Sequence, residues 1–485
     1  MSEAVGWVRP SISPRVWWGL VLVLDAFLLV FLPYIGWIAA GAGVVAAAIW
    51  VVREPHRALG FAALGTPMVS YFGYHAGLDP SVVLVEQIIV LVPLGLQLWS
   101  QLWQWPGGTE RMSAETNSLE RTSGRPSKAT LFFWVGLLAF SLGFATMWTP
   151  SPVYGHSKFV LFVIRNGLFL IGAWTLLRPR SPHVSTGQRG EAFLRFLVVM
   201  SLVFALSALW SLWTFGPAKS RLAVMDLNPI WFARYVGVGI LAVSSLLAMG
   251  RMSRLTGAAL LLVLIPTFYL AGSRGPLLGI LTAGCFFLLS GQTWNTPARR
   301  TLLIAVPALT VVVLAISIAQ GALEQWSPFG SHSASNVART MMLQVAFDWI
   351  SRPGWFGLGT GAYSSVIGVG DIRFYPHNIL VELWLENGVL GTLAFFGFCW
   401  TTAQVWRRSR RDDMRLGRVE RELVRFAATW FVFSFVNAQF SGDLPANEHL
   451  FLSSGALLAW SSSREAKSVG SHPNRSVSDR PEDIE

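Results

Sequence analysis

The sequence predicts an all-α polytopic membrane protein with about 14 transmembrane helices, in the range of about 12–14. Of its 485 residues, 53% are hydrophobic and only 13% are charged, whereas a soluble domain carries about 25% charged residues. The apolar residues also cluster in runs of about 17–25, the length at which a helix crosses the hydrocarbon core of a bilayer. These two observations exclude a soluble globular chain.

The apolar runs divide the chain into one bundle and a tail. Residues 1–463 are predicted to form a single transmembrane bundle, and residues 464–485, rich in Ser, Pro and charged residues, a disordered cytoplasmic tail. The predicted spans cover about residues 17–32, 34–52, 58–77, 82–103, 129–149, 159–177, 196–215, 230–250, 255–272, 276–290, 301–320, 379–405, 425–441 and 449–463.

The distribution of Lys and Arg orients the bundle. With both termini in the cytoplasm, the inner segments hold 28 of the 37 Lys and Arg residues and the outer segments hold 7. This is the bias expected of a multi-pass protein of the cytoplasmic membrane. The basic run at residues 407–425 is then a topology signal, so we expect contact with membrane lipids and none with nucleic acid. The long loop at about residues 321–378 faces outward.

Three consecutive segments end this loop. "SASNVARTMMLQVAFDWISRPGW" predicts a helix with Ser335 or Asn336 as its N-cap. A glycine-rich turn, "PGWFGLGTGAYSS", follows and lacks the lysine of a phosphate-binding loop. The next span begins in "YPHNILVELWLENGVLG", where Asn378 is placed to cap the helix. Glu382 and Glu386 lie one helical turn apart on one face, where they could bind an arginine across the bundle, orient a partner or only pack.

The outer side carries several ionisable residues, which are costly at a membrane unless they pair or work. They include Arg274, Arg339, His377, and Arg221 and Arg234 around "LNPIWFAR". Structural alternatives stay open for the arginines: Arg274 could snorkel, Arg339 could lie on a solvated helix face, and Arg234 could pair with an intramembrane acid.

Arginine and histidine together suit the transfer of a sugar from a lipid diphosphate. A guanidinium matches phosphate oxygens and can stabilise a leaving diphosphate. An imidazole can accept the proton of the attacking hydroxyl. The sequence contains no DxD motif and no outer cluster with metal-ligand spacing, so we expect a reaction without metal or other cofactor.

These segments resemble the signature region of the O-antigen ligase and O-antigen polymerase superfamily. The matching features are the loop helix with Arg339, the turn "PGWFGLGTG", the pair His377-Asn378, Glu386 and "GVLG". Upstream, "GSRGPLLG" with Arg274 resembles the Ser-Arg-Gly segment of that family. The resemblance extends over about residues 220–400.

The resemblance implies a GT-C-type architecture and an inverting, metal-independent glycosyltransferase. Such an enzyme transfers a glycan from undecaprenyl diphosphate to the hydroxyl of a glycan or lipid-glycan acceptor, at the outer face of the cytoplasmic membrane. It also implies site residues: His377 as catalytic base, Arg274 and Arg339 for diphosphate binding, and Arg221, Arg234, Asn378, Glu382 and Glu386 in support.

Other functions stay open at this point. A polymerase that extends the lipid-linked chain, or a transferase to protein, would use the same site as a ligase. A lipid-linked glycan flippase would be expected to show internal repeats, which the sequence lacks. A shape-and-division peptidoglycan polymerase would need an outer catalytic acid, and the acids available stand in other contexts. The sequence does not identify the sugars, the acceptor, the oligomeric state or the envelope of the host.

Overall fold

The computed structural model describes residues 54–64, 91, 94–99, 128–178, 185–215, 222, 228–291, 334–349, 351–352, 354–411 and 416–462. Every regular element in these ranges is a helix, as predicted. The helices belong to one compact unit, Pro55–Glu485. The predicted spans 17–32, 34–52 and 301–320, and the tail, lie outside the described residues.

The helices are α1 (Pro55–Leu64), α2 (Lys128–Ala145), α3 (Pro152–Leu177), α4 (Thr186–Phe215), α5 (Pro229–Met249), α6 (Arg254–Leu270), α7 (Arg274–Ser290), α8 (Ala334–Trp349), α9 (Tyr363–Val366), α10 (Ile379–Arg411), α11 (Arg418–Ala438) and α12 (Glu448–Ser461). Among the described residues, five helices are long and apolar enough to cross a membrane, namely α2 to α5 and α10. A total of fourteen spans and a GT-C architecture stay predictions.

Several boundaries differ from the sequence prediction. Helix α3 begins at Pro152 rather than near residue 159. The predicted boundary excluded Lys158 as a charged residue, whereas the structure buries Lys158 within the helix and pairs it with carboxylates. Helix α8 begins at Ala334, so Ser335 and Asn336 lie inside it and neither is its N-cap.

Helix α12 occupies the centre of the bundle. Every residue from Glu448 to Trp460 is buried, and α12 packs against α3, α10 and α11. The approach to α3 is close, since a Cβ added to Gly455 would lie 2.4 Å from the Leu170 carbonyl oxygen. Small residues at such contacts are typical of membrane helix pairs. Two polar side chains at its start have partners: Glu448 Oε1 pairs with Arg165 at 2.6 Å, and His449 contacts the Ala63 carbonyl at 3.0 Å.

The outward faces of the spans are apolar. Leu206, Trp210 and Trp213 of α4 are exposed, as are Leu262 of α6 and Phe396 of α10. A soluble protein rarely exposes large apolar side chains in such number on its helices. These faces fit the hydrocarbon of a bilayer, and the chain is a membrane protein.

Helix α10 is interrupted at Gly388, and the glycine-rich loop (residues 354–361) packs into the interruption. Gly388 has φ 62° and ψ −152°. The loop satisfies the backbone groups that the break leaves open: Leu358 N–H donates to the Leu385 carbonyl and Gly359 N–H to that of Glu386, at 2.8 and 3.0 Å. Glycines therefore allow the backbone of this loop to pack directly against the backbone of α10, where side chains would clash.

We predict that Gly388→Ala destabilises the protein by about 3 kcal/mol or more. An added Cβ would lie 2.5 Å from the Gly354 oxygen and the Gly357 nitrogen, in a backbone conformation that disfavours side chains. The matched control is Gly368→Ala, at φ 77° with open space around the added Cβ, where we expect only the conformational cost of about 1 kcal/mol. Thermal unfolding in detergent measures both, and equal losses would show that the close contact contributes nothing.

Candidate functional site

A buried cluster of three charges joins α3 to α10. Lys158 Nζ lies 2.6 Å from Glu382 Oε1 and 2.5 Å from Glu386 Oε2, and all three side chains are about 1% exposed. We call these residues the ion cluster. The two glutamates share a helix face, as predicted, but their partner is a lysine rather than an arginine. Ions this deeply buried are tolerated only with good geometry and further hydrogen bonds.

Backbone donors supply those further hydrogen bonds. Gly361 N–H, at the end of the glycine-rich loop, donates to Glu386 Oε2 at 2.8 Å. Leu444 N–H donates to Glu382 Oε1 at 3.0 Å, and Leu444 belongs to the α11–α12 turn (residues 439–447). The ion cluster therefore fixes four parts of the chain relative to one another: α3, α10, the glycine-rich loop and the α11–α12 turn.

A second ion pair lies beside the cluster. Arg373 donates to Asp443 through Nε at 3.2 Å and Nη2 at 2.8 Å, and the Tyr154 hydroxyl donates to Asp443 Oδ2 at 3.0 Å. Burial opposes the charge on Asp443, but Arg373 and these hydrogen bonds outweigh it and hold the pKa of Asp443 below its ordinary value. The carboxylate is 3% exposed and the Arg373 side chain 54% exposed, so the pair reaches from the interior to the surface.

His377 stands at the mouth of α10 in a left-handed backbone conformation. Its φ is 57°, the one positive value of a residue other than glycine among the described residues. Asn378 caps the helix as predicted, because its Oδ1 accepts from Leu380 N–H at 3.0 Å and Val381 N–H at 3.1 Å. Such conformations cost about 1–3 kcal/mol in non-glycine residues and cluster at functional sites.

Arg234 is held by the α11–α12 turn. Its Nη2 donates to the carbonyls of Asn437 and Ser441 at 2.8 and 2.7 Å, and its guanidinium lies 4.5 Å from the Trp231 ring. The side chain is only 4% exposed. Of the alternatives open for Arg234, pairing with an acid is not seen among the described residues, where the guanidinium binds backbone carbonyls instead. Arg221 lies outside the described residues.

Arg274 and Arg339, the two predicted diphosphate-binding residues, belong to helices α7 and α8. Arg274 is the first residue of α7 and is partly buried. The next residue contacts the α11–α12 turn, since a Cβ added to Gly275 would lie 2.8 Å from Phe440 Cβ. Arg339 lies in α8, but its side chain is outside the description. Helix α8 reaches the mouth of α10 through Tyr363, whose hydroxyl donates to the Met342 carbonyl at 2.7 Å.

The α11–α12 turn is the part of the site that the sequence interpretation missed. Glu382, Asn378 and Arg373 all contact it, through Leu444, the Gln439 carbonyl and Asp443 respectively. Lys158 was also missed, because the predicted span begins at about residue 159 and leaves Lys158 outside the membrane. The signal that could have identified it is an ionisable residue directly at the edge of an apolar run.

Comparison with known proteins supports the interpretation of this region. Residues 257–396 match the family model described as O-antigen ligase. The matched segment contains Arg274, Arg339, the glycine-rich loop, His377 and both glutamates of the ion cluster, so the predicted resemblance is confirmed there. No curated protein matches the chain. The match indicates glycosyl transfer in a membrane, of ligase or polymerase type, with a lipid-linked glycan and an acceptor as partners.

We predict that Lys158→Met destabilises the protein by about 3–5 kcal/mol, because two buried carboxylates lose their counter-charge. Adding Glu382→Gln and Glu386→Gln to this variant should restore part of the loss, since the charges are then absent. The control is Arg195→Met, which removes an exposed partner of Glu191 and should cost about 1 kcal/mol or less. Thermal unfolding in detergent measures the stability of each variant. A loss of stability in Lys158→Met no larger than that in Arg195→Met would contradict the role of the ion cluster.

We predict that Asp443→Asn makes stability less sensitive to acid. The lowered pKa of Asp443 means that its carboxylate stabilises the fold above its unfolded pKa of about 3.9, and that this contribution is lost as the pH falls through the lower folded value. Unfolding temperatures between about pH 7 and 3 should fall more steeply in the wild-type protein than in the variant. Asp348→Asn, at an exposed position of α8, is the control. Parallel curves for Asp443→Asn and wild type would refute the prediction.

Proposed function

We propose that the protein is an inverting glycosyltransferase that moves a glycan from undecaprenyl diphosphate to an acceptor hydroxyl, at the outer face of the cytoplasmic membrane. The observation that carries the proposal is His377, a histidine held in a strained left-handed conformation at a capped helix mouth, within the segment that matches the O-antigen ligase family.

His377 is the general base in this proposal. As the acceptor oxygen attacks the anomeric carbon, its proton passes to the imidazole, and the bond between that carbon and the diphosphate oxygen breaks. The polyprenyl diphosphate leaves with the bonding electrons. One displacement at the anomeric carbon inverts its configuration, and no metal takes part.

Arg274 and Arg339 stabilise the negative charge that develops on the leaving diphosphate. Two contacts support this assignment: Gly275, next to Arg274, packs against Phe440 of the α11–α12 turn, and Tyr363 donates to the Met342 carbonyl of α8. The supporting residues act on the scaffold: Asn378 caps α10, the two glutamates hold Lys158, and Arg234 braces the α11–α12 turn.

Ligase activity is the first choice because the matching family model is described as O-antigen ligase. A polymerase that extends the lipid-linked chain is the second candidate, since it would use the same base and the same arginines. The length of the product and the group at its reducing end distinguish the two activities.

We predict that the wild-type protein releases undecaprenyl diphosphate and forms a new glycosidic bond when given an undecaprenyl-diphosphate oligosaccharide and an acceptor, with or without EDTA. His377→Ala and His377→Asn should reduce the rate by about 100- to 10,000-fold, because a general base is lost. Asparagine tolerates the left-handed conformation, so the second variant keeps the backbone. Mass analysis of the products measures the transfer.

The control is His156→Ala, which removes an exposed histidine of α3 whose ring contacts the Pro152 carbonyl and should leave the rate near that of wild type. Full activity of a folded His377→Asn variant would contradict the assigned base. Loss of activity on addition of EDTA would contradict the metal-independent reaction.

A further inference from the structure

Two side chains, Arg373 and Tyr375, form a row with the proposed base His377. The guanidinium carbon of Arg373 lies 5.9 Å from the centre of the Tyr375 ring. The Tyr375 and His377 rings meet edge to face with their centres 4.7 Å apart. A cation, an aromatic ring and an imidazole thus follow one another at alternate positions of the segment that leads into α10.

The intervening residues face the opposite way. Phe374 stacks in parallel on Tyr363, with ring centres 6.3 Å apart, and Pro376 is buried. The contacts of Arg373 with Tyr375 and of Tyr375 with His377, rather than a regular backbone repeat, place these three side chains together. Phe374 and Pro376 anchor the segment by packing away from them.

Arg373 has one edge fixed and one edge open. Its Nε and Nη2 donate to Asp443, while within the described part of the chain its Nη1 donates to no group, and the side chain is 54% exposed. The buried Asp443 carboxylate compensates the charge of the Arg373 guanidinium. It also fixes the orientation of the guanidinium and so the direction of its remaining N–H donors. Such a pair favours neutral hydrogen-bond acceptors such as sugar hydroxyls over a diphosphate, which requires net positive charge.

Tyr375 adds an aromatic surface next to these donors. An aromatic ring with a few oriented polar groups is the usual composition of a site for a small polar ligand. Arg373 and His377 both lie against this partly exposed ring, so a ligand that contacts its exposed part also reaches both neighbours. A sugar ring offers a matching surface, with apolar C–H groups on one side and hydroxyls at its edge.

We propose that Arg373 and Tyr375 form the subsite for the acceptor sugar, an inference that rests on the proposed function. The group that His377 deprotonates belongs to the acceptor, so side chains on the same face as the base contact the sugar that bears this hydroxyl. Tyr375 stacks on that sugar, and the open edge of Arg373 donates to its other hydroxyls. The diphosphate of the donor is bound separately, by Arg274 and Arg339.

The test separates acceptor binding from donor binding. Initial rates of transfer are measured with undecaprenyl-diphosphate oligosaccharide as donor and, as acceptor probes, lipid A–core oligosaccharide and the phenyl glycoside of the donor oligosaccharide. Tyr375→Leu and Arg373→Lys should each raise the KM for the acceptor by about tenfold or more, while the KM for the donor changes by less than about twofold. Arg373→Lys retains the counter-charge of Asp443, and thermal unfolding verifies that each variant is folded.

Two further variants complete the test. Tyr375→Trp keeps an aromatic surface and should keep the acceptor KM near that of wild type. Arg352→Lys, at an exposed arginine that stacks on Trp349 outside this face, should change neither KM. An increase in the donor KM alone, unchanged acceptor KM values in Tyr375→Leu and Arg373→Lys, or equal effects of Trp and Leu at position 375 would overturn the subsite while leaving the transfer reaction intact. Failure of the wild-type protein to transfer to either probe would overturn the proposed function and the subsite with it.

Discussion

The bonds from Lys158 to Glu382 and Glu386 are the constraint on which the rest of the site depends. The three groups are almost completely buried, where charges persist only if their partners are placed closely. Each carboxylate also accepts a backbone N–H from a different loop. The position of the glycine-rich loop, the start of α10 and the α11–α12 turn are therefore coupled through one ammonium group, and a movement of any of them would leave a buried charge without a partner.

The ends of helices, rather than their faces, build the candidate site. Gly388 interrupts α10 so that the glycine-rich loop can bond to its open backbone groups. Asn378 begins the same helix, and its capping bonds fix the residue before it, His377, in a conformation that an isolated chain would avoid. The strain at His377 is sustained by the cap on one side and, on the other, by Phe374, which stacks on Tyr363, and the buried Pro376. A rigid frame of this kind holds a base without reorganisation during the reaction.

The sequence predicted what depends on local pattern. The apolar runs predicted an all-helical chain, which the described residues confirm. The spacing of Asn378 and the two glutamates predicted a cap and a shared helix face, and the structure shows both. The partner of the glutamates could not be predicted, because Lys158 lies 228 residues before Glu386 and no local pattern relates them. The same holds for Arg373 and Asp443, which are 70 residues apart. Arg234 shows the converse limit, since its position within a predicted span suggested an acid as one possible partner, while the fold supplied carbonyl oxygens at the end of α11 and in the turn that follows.

The most direct measurement is an experimental structure of the protein with an undecaprenyl-diphosphate oligosaccharide bound. The account predicts that Lys158 contacts both glutamates, that the diphosphate lies within hydrogen-bond distance of Arg274 and Arg339, and that the anomeric carbon faces His377 across a space the size of a hydroxyl. A diphosphate bound elsewhere, with His377 turned away from the anomeric carbon, would contradict it.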